Sequence, residues 1–172
     1  MTETTLLLNT VVSYGGLILL AASGVLLFDL FTSRSLQALV RAYANWMLLV
    51  LSTFGVILTL VYSEVFGFVP CGLCWLQRLF LYPLPILLAT GMCLKDASVR
   101  IYTMVLVSPG FVIALYQHYL QMGGTELVGC PVAGGDCAQR ILFEFGFMTF
   151  PLLSAILFFF LFTLAFYQHR VS

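Results

Sequence analysis

Hydrophobic and polar positions along this chain are segregated on the scale of whole helices: long uncharged runs are divided by short polar ones. No Asp, Glu, Lys or Arg occurs from Thr4 to Phe28. About 20 apolar residues cross a bilayer, so the pattern predicts a spanning helix over about residues 4–28. It reads as a span and not a signal peptide, because the residues before it include Glu3 and no Lys or Arg. Asp29, Arg34 and Arg41 then mark a polar connection, with Asp29 taken as a helix-end marker. Ala42 to Ser63 is again uncharged, with Trp46 near one end and Tyr62 near the other, as expected at two membrane interfaces. Glu64 closes this second span, and Gly67, Pro70 and Gly72 punctuate a short loop.

The third span is constrained most tightly. Only Leu79 to Leu94 separate Arg78 from Lys95, about 24 Å of helix at 1.5 Å per residue, against roughly 30 Å of hydrocarbon. The helix must therefore begin earlier, near Cys71. That puts Arg78 at or just inside the interface and Cys74 one turn above it. Pro83 and Pro85 predict a kink, tolerable where neighbouring helices cover the freed carbonyls. After a turn at Lys95, Asp96 and Arg100, a fourth span runs from Ile101 to Gln121, bent at Pro109-Gly110. A polar, glycine-rich loop follows from Met122 to Glu144, and Phe145 to Tyr167 is the fifth span, with Arg170 beyond it. The Phe158-Phe159-Phe160 run and Tyr62 read as lipid-facing or core packing. The predicted class is all-α, a polytopic membrane helical bundle forming a single membrane domain over residues 1–172.

Composition agrees with lipid as the solvent. The chain has 172 residues, is 62% hydrophobic and 8% charged, and has a mean hydropathy of +1.07, whereas soluble domains carry about 25% charged residues. Seven basic and seven acidic side chains balance, so nothing points to nucleic acid. With five spans, the N-terminus and the two cysteine-bearing loops share one side. Arg34, Arg41, Lys95, Arg100 and Arg170 fall on the other side, against Arg78 and Arg140 on the cysteine side. The positive-inside rule places the cysteines outside the cytoplasm, where disulfides persist.

The candidate chemistry lies in two close cysteine pairs, Cys71/Cys74 and Cys130/Cys137, with Cys93 as a free-thiol spectator. A Cys-x-x-Cys at a helix start brings both thiols to one turn, where unpaired N–H groups and the helix dipole favour a thiolate. At 100° per residue Cys71, Cys74 and Arg78 fall within about 60° on the helix face, so a guanidinium sits one turn below the second sulfur. It can favour a thiolate or hydrogen-bond a ligand oxygen. The plainer alternatives are a structural staple or half a zinc site. The latter would need further ligands such as Cys130, Cys137 or His118, although the loop pair lacks knuckle spacing. Cys130 and Cys137 lie in Gly-Cys-Pro-Val-Ala-Gly-Gly-Asp-Cys, residues 129–137, whose glycines suit a mobile loop presenting a sulfur to a partner. A permanent loop disulfide is the simpler alternative. Two pairs on one face favour relay by thiol–disulfide exchange. His118 near the outer interface is either functional or merely interfacial.

Cys71-Gly-Leu-Cys-Trp-Leu-Gln-Arg78, Tyr116-Gln-His-Tyr-Leu-Gln-Met122 and Gly135-Asp-Cys-Ala-Gln-Arg140 together resemble the signatures of the DsbB/BdbC family of disulfide bond formation membrane proteins, in the family's order, over roughly residues 45–168. The resemblance implies a four-helix core over about residues 42–168, with one extra N-terminal helix over about residues 4–28. It implies an oxidoreductase of the bacterial cytoplasmic (inner) membrane that reoxidises a DsbA-type thioredoxin-fold partner and passes electrons to a membrane quinone, ubiquinone or menaquinone. By the same resemblance Cys130 is attacked by the partner, Cys137 relays to the first pair through Cys71, Cys74 faces the quinone, Arg78 binds its carbonyl, and His118 lies near it. The loop between Cys130 and Cys137 is shorter than in the best-known members, and Gln77 stands where an acidic residue is familiar. Two competing classes are a vitamin-K-epoxide-reductase-like enzyme, in which the Cys-x-x-Cys usually comes after the loop pair, and a non-enzymatic metal-binding membrane protein.

Overall fold

The structure is a computed structural model and describes residues 3–127, 129–130 and 136–171. Among the described residues, five stretches of helix are long and apolar enough to cross a membrane. They are α1 (Glu3–Thr32); α2 (Gln37–Leu60), prolonged by a π-helical turn Val61–Val65; α3 (Gly72–Leu81) with α4 (Pro83–Leu94), which form one broken span; α5 (Val99–Gln121); and α6 (Phe150–Val171). The all-α membrane bundle expected from the sequence is the fold observed.

The inward faces show how lipid as solvent reverses the usual pattern. The buried side of α1 carries Thr5, Asn9, Ser13, Gly16 and Ser23 at helical spacing, while Leu7, Ile18 and Phe28 point outward. Large apolar groups gain nothing by leaving lipid for protein, so small residues that allow close approach mark helix contacts. A Cβ on Gly16 would lie 2.4 Å from Leu153 Cδ2 of α6. Asn9 accepts a short hydrogen bond from the Tyr62 hydroxyl and ties α1 to the end of α2. The central element is α6, which packs against α1, α2 and α5 and buries Phe158, Phe160, Leu161, Leu164 and Tyr167. On α5, Gly110 faces the Phe158 ring, where an added Cβ would come within 2.6 Å of Cζ. Tyr62, Phe158 and Phe160 are thus core packing, while Phe159, between the last two, is half-buried.

Polar residues seal the end of the bundle opposite the cysteines. Asp29 does more than mark a helix end. It lies within α1, buried, and accepts hydrogen bonds from the Ser33 hydroxyl (2.8 Å), Ser35 N–H and hydroxyl (2.9 and 2.6 Å), Leu36 N–H (3.0 Å) and the Tyr167 hydroxyl (2.5 Å). Because these donors satisfy the carboxylate, α1 runs on to Thr32 instead of stopping at residue 28. Arg41 lies inside α2, whose start at Gln37 precedes the expected residue 42, and its guanidinium donates to the Val171 carbonyl. Arg100 donates to the Gln168 carbonyl at 3.3 Å. Two cations thus meet the negative end of α6.

The third span starts directly after Cys71, as the length arithmetic requires, and breaks at Tyr82 ahead of Pro83. The last span needs correction. Its helix begins at Phe150, and residues 143–149 form a small antiparallel hairpin, β1 (Phe143–Glu144) with β2 (Met148–Thr149). The turn places Phe145 at φ 55° and Gly146 at φ 77°, a left-handed backbone that glycine adopts freely and a helix cannot contain. The phenylalanines at 143, 145 and 147 are exposed, so their apolar character imitates the start of a span without belonging to one.

Candidate active site

The site is built where α3 begins. Cys71 is the extended N-cap residue of α3, and its carbonyl accepts the Trp75 N–H at 3.1 Å. Cys74 sits in the first turn, which brings the two sulfurs to 2.9 Å as free thiols. Cys71 is buried and Cys74 half-buried. Opposite them on α5, Gln117 is only 2% exposed. Its Nε2 donates to Cys71 Sγ at 3.1 Å and to Cys74 Sγ at 3.2 Å. Its Oε1 accepts from Gln77 Nε2 at 2.6 Å. With the Gln117 oxygen taken by Gln77, its two N–H bonds are left for the sulfurs.

One turn below Cys74 lies Arg78, 8% exposed. Its guanidinium donates to the Thr59 carbonyl at 2.9 Å and stacks 5.2 Å from the Trp75 ring centroid. A guanidinium has five N–H donors, so most of this fork is left for a ligand. A buried cation held by a carbonyl and an aromatic face is costly unless something else compensates it. Cys74, Gln77 and Arg78 open into a cavity of about 400 Å³ whose other walls come from α1, α2 and α6. Its lining is overwhelmingly apolar. This matches the general form of a small-molecule site, an apolar cleft with few convergent polar groups.

His118 is placed differently. Its Nδ1 pairs with Thr149 Oγ1 at 2.8 Å, and it is not among the described residues that line the cavity. The residue beside it, Gln117, is the one that reaches the sulfurs.

The second pair is joined as a disulfide, Cys130–Cys137, with Cα atoms 6.1 Å apart. Cys137 is 1% exposed, whereas Cys130 is half-buried. Cys137 packs with Cys71, Leu73 and Leu120 in one apolar cluster, against which Cys74 and Cys130 also rest. Both ends of the described loop are pinned. Gln121 Nε2 donates to the Gln139 carbonyl at 2.7 Å, and Arg140 Nε donates to the Gln121 carbonyl at 2.6 Å. Of the glycines on which the expectation of a mobile loop rests, Gly134 and Gly135 lie outside the described residues. Cys93 is an exposed free thiol remote from the cluster, on α4. No group of three His, Cys, Asp or Glu side chains that could hold a metal occurs among the described residues.

Four cysteines gathered at one end of a membrane bundle, one pair oxidised and one reduced, are equipped for dithiol–disulfide exchange. The family model described as "Disulfide bond formation protein DsbB" matches residues 41–168. The chain belongs to the DsbB family. It is 41% identical over 112 residues to the SPbeta prophage-derived disulfide bond formation protein B of Bacillus subtilis, covering 65% of this chain and 76% of that one. It is 33% identical to disulfide bond formation protein C of the same organism (70% and 86% covered) and 37% identical to a probable disulfide formation protein of Chlamydia muridarum (70% and 88%). No solved structure matches significantly. DsbB membership makes this a multi-pass membrane protein of disulfide formation. All six residues singled out from the sequence lie inside the match, whereas α1 lies outside it.

Two residues of the site were given no role from the sequence. Gln117 and Gln77 are forty positions apart, and neither belongs to a spacing that signals chemistry. Both nevertheless lie inside the motifs at residues 71–78 and 116–122 that carry the resemblance, and each is an uncharged polar side chain inside an otherwise apolar span.

Proposed function

We propose that this DsbB-family protein reoxidises a thioredoxin-fold dithiol oxidase of the DsbA type and delivers the electrons to a membrane quinone, ubiquinone or menaquinone. The observation that carries this reading is the junction of Cys74 and Arg78 at the polar end of an apolar cavity, with the second cysteine pair packed against the first. A compact polar ring with an apolar tail fits that distribution of lining groups. When bound, a quinone would supply an acceptor for two electrons and two protons.

The protein's own groups divide the work. Cys130 is the accessible sulfur of the loop disulfide, so a partner thiolate attacks there. The Cys130–Cys137 bond breaks and a mixed disulfide forms. The partner's second thiolate then displaces Cys130, leaving the partner oxidised and the loop pair as two thiols. Cys137, buried beside Cys71, passes this reduction to a Cys71–Cys74 disulfide by the same exchange. The Cys71/Cys74 dithiol returns to the disulfide as its two electrons and two protons leave through the cavity. Gln117 presents N–H groups to both sulfurs, and Arg78 offers N–H donors to a ligand carbonyl. The potential of a DsbA-type partner, near about −120 mV, requires an acceptor at least as oxidising, which glutathione pools are not. Arg34, Arg41, Lys95, Arg100 and Arg170 stand at the opposite end from the cysteines, which orients the cysteine end and the N-terminus away from the cytoplasm and the C-terminus into it.

The test is oxidation of a reduced DsbA-type protein by the purified chain. Oxidation is expected only with quinone added, with the partner's Cys→Ser variant trapped on Cys130. Trapping on Cys71 would overturn the order of relay. Arg78→Ala is expected to weaken quinone binding by tenfold or more, and unchanged binding would remove its assigned role.

A further inference from the structure

The first helix lies outside the DsbB match at residues 41–168, yet it is part of the site. Both α1 and α2 pack along α6 but barely touch each other. Between them the cavity continues from Cys74 and Arg78 as a slot walled by Gly15 and Leu19 of α1, Leu51 and Phe54 of α2, and Leu157 of α6. Phe54 on one rim and Val11 and Ile18 on the other are exposed on the outer surface of the bundle, so the slot opens sideways into lipid. Tyr62 stands at the polar end, tied to Asn9. From Tyr62 to Leu51 is about 16 Å of helix at 1.5 Å per residue. The polar lining groups, Thr59, Tyr62, Ser63, Cys74, Gln77, Arg78, Gln117 and Ser154, cluster toward the cysteine end, and beyond them the walls are apolar. Gly15 matters here because a Cβ on it would meet nothing within 4 Å. A side chain there would enter the slot without striking the fold, in contrast to Gly16 next to it, which is pressed against Leu153.

We infer that α1, the helix outside the family match, forms one wall of the slot that takes the isoprenoid tail of the quinone, so that tail binding in this chain depends on α1. The inference rests on the quinone reading above and deepens it. A phospholipid acyl chain is the competing occupant. The Arg78 fork would pair with a phosphate as readily as with a carbonyl, but the same cavity ends at the Cys74 sulfur, which a quinone ring can use and a phospholipid cannot. The slot also runs on without interruption from the sulfur that such a ring would meet.

Two measurements on the full-length protein decide it. In the first, quenching of tryptophan fluorescence, for which Trp75 beside Arg78 is the reporter, gives Kd for a prenylated ubiquinone and for the same ring without its tail. Gly15→Phe is expected to raise Kd for the prenylated quinone roughly tenfold or more, through loss of buried tail area, and to leave the tail-less ring within about twofold. In the second, a quinone with a photoreactive group on its tail is cross-linked to the unaltered protein in vesicles of phosphatidylglycerol and phosphatidylethanolamine. Cross-links are expected on residues 11–19 and on Leu51 or Phe54. Cross-links confined to other helices, equal weakening of both quinones, or unchanged binding of both by Gly15→Phe would overturn the tail slot while leaving the quinone reading intact. Failure of the unaltered protein to bind either quinone would overturn both.

Discussion

Gln117 is the sharpest place to perturb the site, because one amide serves both sulfurs of the Cys71/Cys74 pair. Its Nε2 lies 3.1 and 3.2 Å from them, and its Oε1 is occupied by Gln77 at 2.6 Å. Gln117→Ala removes the donor and also strands the Gln77 amide. When one of the sulfurs is a thiolate, the lost bond is to a charged acceptor, worth about 1.5–3 kcal/mol. At about 1.4 kcal/mol per factor of ten this is a loss of roughly 10- to 150-fold in the population or reactivity of the thiolate. Gln77, buried and left without its acceptor, adds a separate stability cost of about 1–3 kcal/mol. The two effects come apart in the double variant Gln77→Leu/Gln117→Leu. Removing both partners of a buried hydrogen bond is nearly neutral for stability, so the double variant should melt close to the unaltered protein while staying slow. The assay is the rate of Cys74 alkylation by a membrane-permeant maleimide in a Cys93→Ser background, alongside quinone-dependent turnover and a tryptophan-fluorescence melt. If the double variant folds normally and both rates stay within twofold, Gln117 is packing and not a positioning residue.

Three further outcomes are expected. After reduction of the loop disulfide, Cys130 should be alkylated much faster than Cys137, which is 1% exposed; equal rates under native conditions would contradict the assignment of Cys130 as the partner's target. Asp29→Ala should lower the melting temperature in detergent by more than Tyr167→Phe does, since the carboxylate serves the whole α1–α2 turn and Tyr167 supplies one of its donors; a ranking the other way round would refute that role. Gly110→Ala should destabilise by about 1–3 kcal/mol by overpacking against Phe158, while Gly24→Ala, where a Cβ meets nothing within 4 Å, should be neutral or stabilising in the same melt.

The sequence by itself determined the number of spans, their approximate limits and the chemical groups at stake. Whether a run is a span depends on its own transfer free energy into lipid, a local property that an uncharged stretch declares directly. The short third span was equally legible, because Arg78 and Lys95 left too little helix between them, and the helix does begin beside Cys71. The Cys-x-x-Cys, the loop pair and Arg78 stood out as groups that an apolar chain would not carry without use. The hairpin at residues 143–149 did not stand out, since a phenylalanine-rich turn and the start of a phenylalanine-rich helix have the same hydropathy.

Only the tertiary structure decided what meets what. It turned Gln117 and not His118 toward the sulfurs, packed Cys137 beside Cys71, and paired Gln77 with Gln117 across forty residues. It also made α1 a wall of the cavity below Arg78. These are relations between helices, set by where small residues let backbones close and where α1 and α2 fail to close on each other. No single span's composition encodes them, because lipid rewards every apolar face alike and leaves the choice of neighbours to packing and buried hydrogen bonds.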